Sequence, residues 1–123
     1  MKIITFIIVL LLSSTILMAG VELPANNIGE LVKHEGDYVV VTGRVAQTYM
    51  PESGKVLYLN FARNYKKAIT AVIFPSSFGR FEQVNIDPRR YYTGKRVKVE
   101  GKIKLYKGRP EIIVYSPEQI EIY

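Results

Sequence analysis

The chain has no cysteine, no tryptophan and a single histidine among its 123 residues. Without cysteine there is no disulfide framework, no thiol nucleophile and no cysteine-held zinc or iron–sulfur centre. His34 alone cannot build a multi-histidine metal site, and the sequence advertises no nucleophile to complete a triad around it. Acids are scarce as well, with 11 Asp and Glu against 17 Lys and Arg and a formal net charge of +6. Chemistry could rest only on a few carboxylates, lysines and arginines, so the expectation is a protein that is not an enzyme and uses no metal or cofactor. The length accommodates one domain.

The apolar residues are concentrated at the start. Met1 to Gly20 carry one charge, Lys2, then the run Ile3 to Leu12, then Ser13-Ser14-Thr15, a second apolar patch and the small pair Ala19-Gly20. A cationic start, a short apolar stretch and a small-residue end are the pattern of a secretory signal peptide. The expectation is a leader over 1–20, cleaved near 19–25, and a single domain over 21–123 that is exported to the periplasm or the exterior. Ile3 to Met18 is short for a spanning helix, which wants about 20 apolar residues, so no membrane span is expected once the leader is gone. The competing reading is that it stays as an uncleaved anchor. No cysteine follows it to carry a lipid.

The charge is unevenly placed. Arg89 to Arg109 hold nine basic residues and one acid, Glu100, and Lys55 to Lys67 hold four basic residues and no acid. The last 14 residues hold three acids and no base. A basic surface facing one way suits a polyanion: nucleic acid, anionic lipid or acidic glycan.

Hydrophobic periodicity predicts mostly strands. Asn27 with Glu30 three residues on is a capping pattern, and Ile28, Leu31 and Val32 continue at helical spacing, which predicts a short helix over about 28–35 with His34 in its last turn. Tyr38 to Tyr49 is rich in β-branched residues and reads as one long strand. After a turn at Pro51 to Gly54, Lys55 to Arg63 alternates, with Leu57, Leu59 and Phe61 on one face and Val56, Tyr58 and Asn60 on the other. A polar hinge, Asn64 to Lys67, leads to a third strand, Ala68 to Phe74. Phe78, Phe81 and Val84 are spaced for one face of a short helix. Lys95 to Leu105 alternates throughout, Lys107-Gly108 is a tight turn, and Glu111 to Tyr115 is a fifth strand, followed by an extended piece over Gln119 to Tyr123.

An internal echo suggests how these strands are arranged. Gly36 to Val45 and Gly94 to Ile103 both read Gly, two residues, Val, any, Val, any, Gly, base, branched aliphatic. Glycine weakens a strand interior, so Gly43 and Gly101 are expected to mark a bulge or a sharp coil. Five strands, a short helix before the first and a helical segment between the third and fourth predict an all-β fold with short helices: a five-stranded OB-fold Greek-key barrel.

The pattern also resembles a known group. Gly43-Arg44-Val45, Gly54, Leu57 to Phe61, Ala71-Val72-Ile73, Gly94 to Val97 and Gly108 to Ile112 together resemble small exported bacterial OB-fold proteins of the anticodon-binding-like (tRNA_anti-like) nucleic-acid-binding group. The likeness covers about residues 30–122 and implies the fold and a nucleic-acid-binding role, but no catalytic residues. A similar module accompanies some exported nucleases.

OB barrels bind ligands across strands two and three, framed by the loops between strands one and two and between strands four and five. On that map strand two presents Tyr58 and Asn60 and continues to Arg63, and strand three presents Thr70. The first loop brings Tyr49 beside Met50, the second brings Tyr106, Lys107 and Arg109, and Tyr65, Lys66 and Lys67 lie at the hairpin tip. Rings that stack on bases, interleaved with cations that neutralise phosphates, make a single-strand binder. Lys98, Lys102 and Lys104 read instead as a solvated strand face.

Three functions compete. The first is an exported, monomeric, non-catalytic binder of single-stranded DNA or RNA with little sequence preference. The second is an envelope module that binds protein, glycan or a small anion through the same face. The third is a metal-dependent nuclease, for which Asp37, Asp87 and Glu100 are the acids at hand, without a recognisable ligand spacing.

Overall fold

Alternating β-branched residues make strands the main regular element of the fold. The computed structural model describes residues 20–123, so all of the expected leader except Gly20 lies outside the described residues. The strands are β1 (Glu22–Pro24), β2 (Tyr38–Arg44), β3 (Gln47–Tyr49), β4 (Leu57–Asn60), β5 (Thr70–Ile73), β6 (Arg96–Tyr106), β7 (Arg109–Ile113) and β8 (Ile120–Ile122). Three short helices join them: α1 (Ile28–Lys33), α2 (Phe78–Glu82) and α3 (Pro88–Tyr91). Among the described residues no helix is long and apolar enough to cross a membrane.

The expected five strands are eight. They form one mixed, open sheet ordered β1-β2-β6-β7-β5-β4-β3, with β8 also on β6. β1–β2 and β5–β7 are parallel and the other pairs antiparallel. The long first strand is broken at Val45-Ala46. There the Val45 N–H donates to the Lys95 carbonyl at 3.0 Å and the Ala46 N–H to the Asn60 carbonyl at 2.8 Å. The chain thereby passes from β2, paired with β6, to β3, paired with β4. The all-β character, the helix before β2 and the helical segment between β5 and β6 are as expected.

The added strand β1 lies within the expected cleavage window of 19–25. Leu23 and Ala25 are buried, and the Ala25 N–H donates to the Thr42 carbonyl at 2.8 Å. Cleavage at the Ala19–Gly20 end of that window keeps β1 in the sheet, whereas cleavage after Ala25 removes it.

The glycines of the echo do not mark bulges, because the β2–β6 register runs through both without an extra residue. Val39 stands opposite Gly101, Val41 opposite Val99 and Gly43 opposite Val97, so the repeated motif pairs with itself. The ends match as well: the Gly36 N–H donates to the Ile103 carbonyl and the Gly94 N–H to the Val45 carbonyl, both at 2.8 Å. The central glycines serve close approach. A Cβ on Gly101 would lie 2.9 Å from Ile112 Cγ1 and 3.0 Å from the Ile113 carbonyl, and one on Gly43 would lie 2.9 Å from Ala25 Cβ.

The core collects the inward positions of these strands: Val39 and Val41 from β2, Leu57 and Leu59 from β4, Val97, Val99 and Ile103 from β6, and Ile112 from β7. Leu31 of α1 and Phe81 of α2 are fully buried against it. Asn27 caps α1, its Oδ1 accepting from the Glu30 N–H, and His34 follows the last turn with Nδ1 3.1 Å from Asp37 Oδ2. Val84 departs from the expected helical face and is exposed, because α2 ends at Glu82 and Asn85, at φ 58°, turns the chain away. Beyond α3, Tyr92 is buried edge-on to Phe81, with ring centroids 6.4 Å apart.

Two measurements test this packing. Gly101→Ala is expected to lower stability by about 1–3 kcal/mol in urea denaturation, since backbone as well as side chain must move. Gly79→Ala, on the open face of α2 with nothing within 4 Å of its Cβ, is expected to be neutral or stabilising by about 0.5–1 kcal/mol. Burial, aided by Tyr91, pushes the Tyr92 hydroxyl up to about 12. The folded state therefore holds that proton more tightly than the unfolded chain. Its contribution is complete below about pH 10 and is lost as pH rises towards 12, a loss that Tyr92→Phe should reduce in alkaline melting curves.

Candidate nucleic-acid interface

Strand alternation builds the floor of the site. Asn60 of β4, Thr70 of β5, Glu111 of β7 and Lys104 of β6 stand in register across four adjacent strands. Asn60 and Thr70 are buried, and the Thr70 hydroxyl donates to Asn60 Oδ1 at 3.0 Å. Tyr58, two residues before Asn60, stands on the same face, and its β3 partner Tyr49 stacks on it with centroids 6.2 Å apart and planes 19° apart. Such a pair of rings contributes about 0.5–1.5 kcal/mol beyond the area it buries.

The strand ends and the turn after β4 supply the remaining walls. Tyr65 opens the turn Tyr65–Lys67, which Asn64 caps by accepting from the Lys66 N–H at 3.1 Å. The Arg109 guanidinium lies 4.8 Å above the Tyr65 ring, and Tyr106 pairs with Arg109 across the β6–β7 turn. That turn needs left-handed backbone at Lys107 (φ 52°) and Gly108 (φ 79°). It carries Lys107 Nζ to 5.3 Å from the Tyr106 ring centre.

These parts enclose a cavity of about 190 Å³. Its walls include Tyr49, Tyr58, Tyr65, Tyr106 and Arg109, and its floor Asn60 and Thr70, so seven of the expected residues meet at one place. Arg63, Lys66, Lys67 and Lys107 do not line it; they are exposed on the adjoining turns. Met50 faces a different, larger cleft of about 610 Å³ between β4 and the α2–α3 segment, which none of the expected binding residues lines.

Two lining residues, Pro110 and Glu111, were missed. The sequence reading starts the fifth strand at Glu111, whereas β7 starts at Arg109. Alternation from Arg109 would have found Glu111 on the same face. Burial raises the Glu111 carboxyl above its ordinary range, against the pull of Lys104 and then Arg109. Burial, followed by the charge of Glu111, likewise raises the Tyr58 hydroxyl.

The remaining charges are disposed elsewhere. β8 pairs with the first part of β6, setting Glu121 opposite Lys98, and the Tyr123 ring lies under Arg96 and Lys98. Lys98 also reaches Glu22 at 3.7 Å, while Lys102 and Lys104 are exposed, as expected of a solvated face. Asp37 is engaged by His34, and Asp87 caps α3 and bonds the Arg89 side chain. Among the described residues no three His, Asp or Glu side chains gather as a metal site.

No protein-family model matches the chain, and no curated protein matches it in sequence. Its fold, compatible with an OB-like architecture, is similar to that of solved structures. One is the OBody AM1L10 bound to hen egg-white lysozyme, at 22% identity and a TM-score of 0.50 over 74% of this chain and 83% of that one. Another is a protein assigned as an aspartyl-tRNA synthetase of Leishmania major Friedlin, at 16% identity and a TM-score of 0.58 over 85% of this chain. The chain spans about a fifth of that synthetase's length (21%). At such identities the likeness concerns the fold alone.

The raised carboxyl of Glu111 gives a stability test. A carboxyl whose folded value is raised stabilises the fold while protonated and loses that contribution as pH climbs through the raised value. Glu111→Gln, which cannot ionise, is expected to melt higher than the wild type near neutral pH. The gap should narrow below about pH 4, the ordinary glutamate range. A gap of constant size across that span would contradict the assignment.

Proposed function

We propose that this protein is an exported, non-catalytic, monomeric OB-fold binder of single-stranded nucleic acid. On this reading β2 and β3 are two halves of one barrel strand, and β1 and β8 are additions to it. The remaining order, first strand to β4, β5, β7, β6 and back to the first strand, is then that of a five-stranded OB barrel. It also agrees with the resemblance to the anticodon-binding-like group.

The observation that carries the reading is the cavity on the β4–β5 face, walled by four tyrosines with Arg109 over one of them. Exposed or half-exposed rings take bases by stacking, at about 1–3 kcal/mol each, without regard to base identity. Arg63, Lys66, Lys67 and Lys107 are exposed on the adjoining turns, where a phosphate backbone leaving the cavity meets them. Affinity then comes from stacking and counterion release.

A specific observation favours a second reading, an envelope module for protein, glycan or a small anion. The Glu111 carboxylate at the centre of the face repels phosphate, and a partner with its own cations or hydroxyls would meet no such penalty.

The two part on salt. Fluorescence anisotropy of the purified protein with a labelled single-stranded oligonucleotide is expected to show affinity falling with salt, at about 0.7 in logarithmic slope per phosphate neutralised. Lys66→Ala/Lys67→Ala should flatten that slope by about 1.4. Tyr58→Ala should weaken binding by about 1–3 kcal/mol and leave the slope unchanged. No binding at low salt rejects the nucleic-acid reading and leaves the face to an envelope partner.

A further inference from the structure

Stacking and charge alone would leave the site indifferent to sequence, and Glu111 is out of place in such a site. It lies in the middle of the face, in register between Thr70 and Lys104. Among the described residues, no hydrogen bond or ion pair within 4.0 Å engages its side chain. A half-buried carboxylate facing phosphate would only weaken binding. It has a use if it accepts a hydrogen bond from something that enters the cavity.

The neighbouring floor defines the complement. Asn60 Oδ1 is occupied by the Thr70 hydroxyl, which leaves the Asn60 amide nitrogen as the group able to donate into the cavity. The row therefore offers a donor on β4 and an acceptor on β7, two strands away and so with their backbones roughly 10 Å apart across the sheet. Both side chains line the same cavity beside Tyr58.

We infer, resting on the nucleic-acid reading, that this cavity selects a base whose edge carries an amino donor beside a ring acceptor, and discriminates against thymine or uracil. In cytosine the N4 amino group donates to the Glu111 carboxylate, while N3 accepts from the Asn60 amide. Acceptance from cytosine N4 by a glutamate is an established pairing chemistry. Thymine presents the reverse order. In the same pose its O4 carbonyl meets the carboxylate and its N3–H meets the Asn60 amide donor, so both protein groups lose their water without gaining a partner. Glu111 is thus a specificity-determining residue at one base position, set among contacts that are otherwise indifferent to sequence.

The test compares oligocytidylate and oligothymidylate of equal length against the purified protein by anisotropy near neutral pH, for wild type and Glu111→Gln. The two oligomers carry equal charge, so their affinity ratio cancels the electrostatic change that Gln introduces. The expected result is a cytidylate preference of about tenfold in the wild type that falls towards one in Glu111→Gln, whose amide serves either base. Equal binding of both oligomers by the wild type overturns the inference while leaving the nucleic-acid reading standing. A preference that persists undiminished in Glu111→Gln also overturns it. Binding of neither oligomer overturns the base preference together with the reading beneath it.

Discussion

The pairing of β2 with β6 is the constraint on which the rest of the structure depends. One ten-residue pattern, used twice, meets itself in antiparallel register, so each strand sets a valine against the other's glycine, with Val41 and Val99 at the centre. The missing Cβ atoms are spaces that neighbours occupy. Ala25 and Phe61 close on Gly43, and Ile112 and the Gln119 amide close on Gly101. Gln119 then fastens that side: its Nε2 donates to the Glu100 and Ile113 carbonyls at 2.8 and 3.1 Å, and its Oε1 accepts from the Tyr115 N–H.

The candidate site follows from that approach. Because β7 can press against Gly101, it lies between β6 and β5, parallel to β5. Its alternation then delivers Arg109 and Glu111 to the face that already carries Tyr58 and Thr70. The tight turn at Lys107-Gly108 sets the Lys107 ammonium beside the Tyr106 ring at the rim. The cavity thus joins residues from β3, β4, β5, β6 and β7 and the turn at Tyr65, with a buried Asn60–Thr70 hydrogen bond holding its floor. On the proposed reading, rings, cations, one carboxylate and one amide donor would between them stack a base, neutralise its phosphate and read part of its edge.

Net charge alone would describe this surface poorly. The acidic end of the chain lies along the first half of β6, where Glu121 faces Lys98 and Tyr123 packs under Arg96 and Lys98. Lys107 and Arg109, at the far end of the β6–β7 hairpin, are left uncovered by it. The acidic end thus engages only the first cations of β6, while Lys102 and Lys104 of that strand stay exposed, as do the cations of the turns beside the cavity.

Element type and the inward residues were legible in the chain because they follow from local spacing: the alternation of Val97, Val99, Gly101 and Ile103, the Asn27 cap, the turn at Lys107-Gly108. The face carrying Tyr58, Thr70, Tyr106 and Arg109 could also be named in advance, since a strand's period of two assigns faces as soon as strand order is assumed. Other features depend on contacts between distant segments. The break at Val45-Ala46 arises because Lys95 and Asn60 claim its backbone groups from opposite sides. β1 exists only because β2 has a free edge for Glu22 to Pro24. The echo glycines read as marks of a bulge or a sharp coil, and only the neighbours show Ile112 and Ala25 filling the space beside them. Glu111 becomes part of the site only once parallel pairing sets it beside Thr70, and a linear chain carries no record of which strand lies next to which.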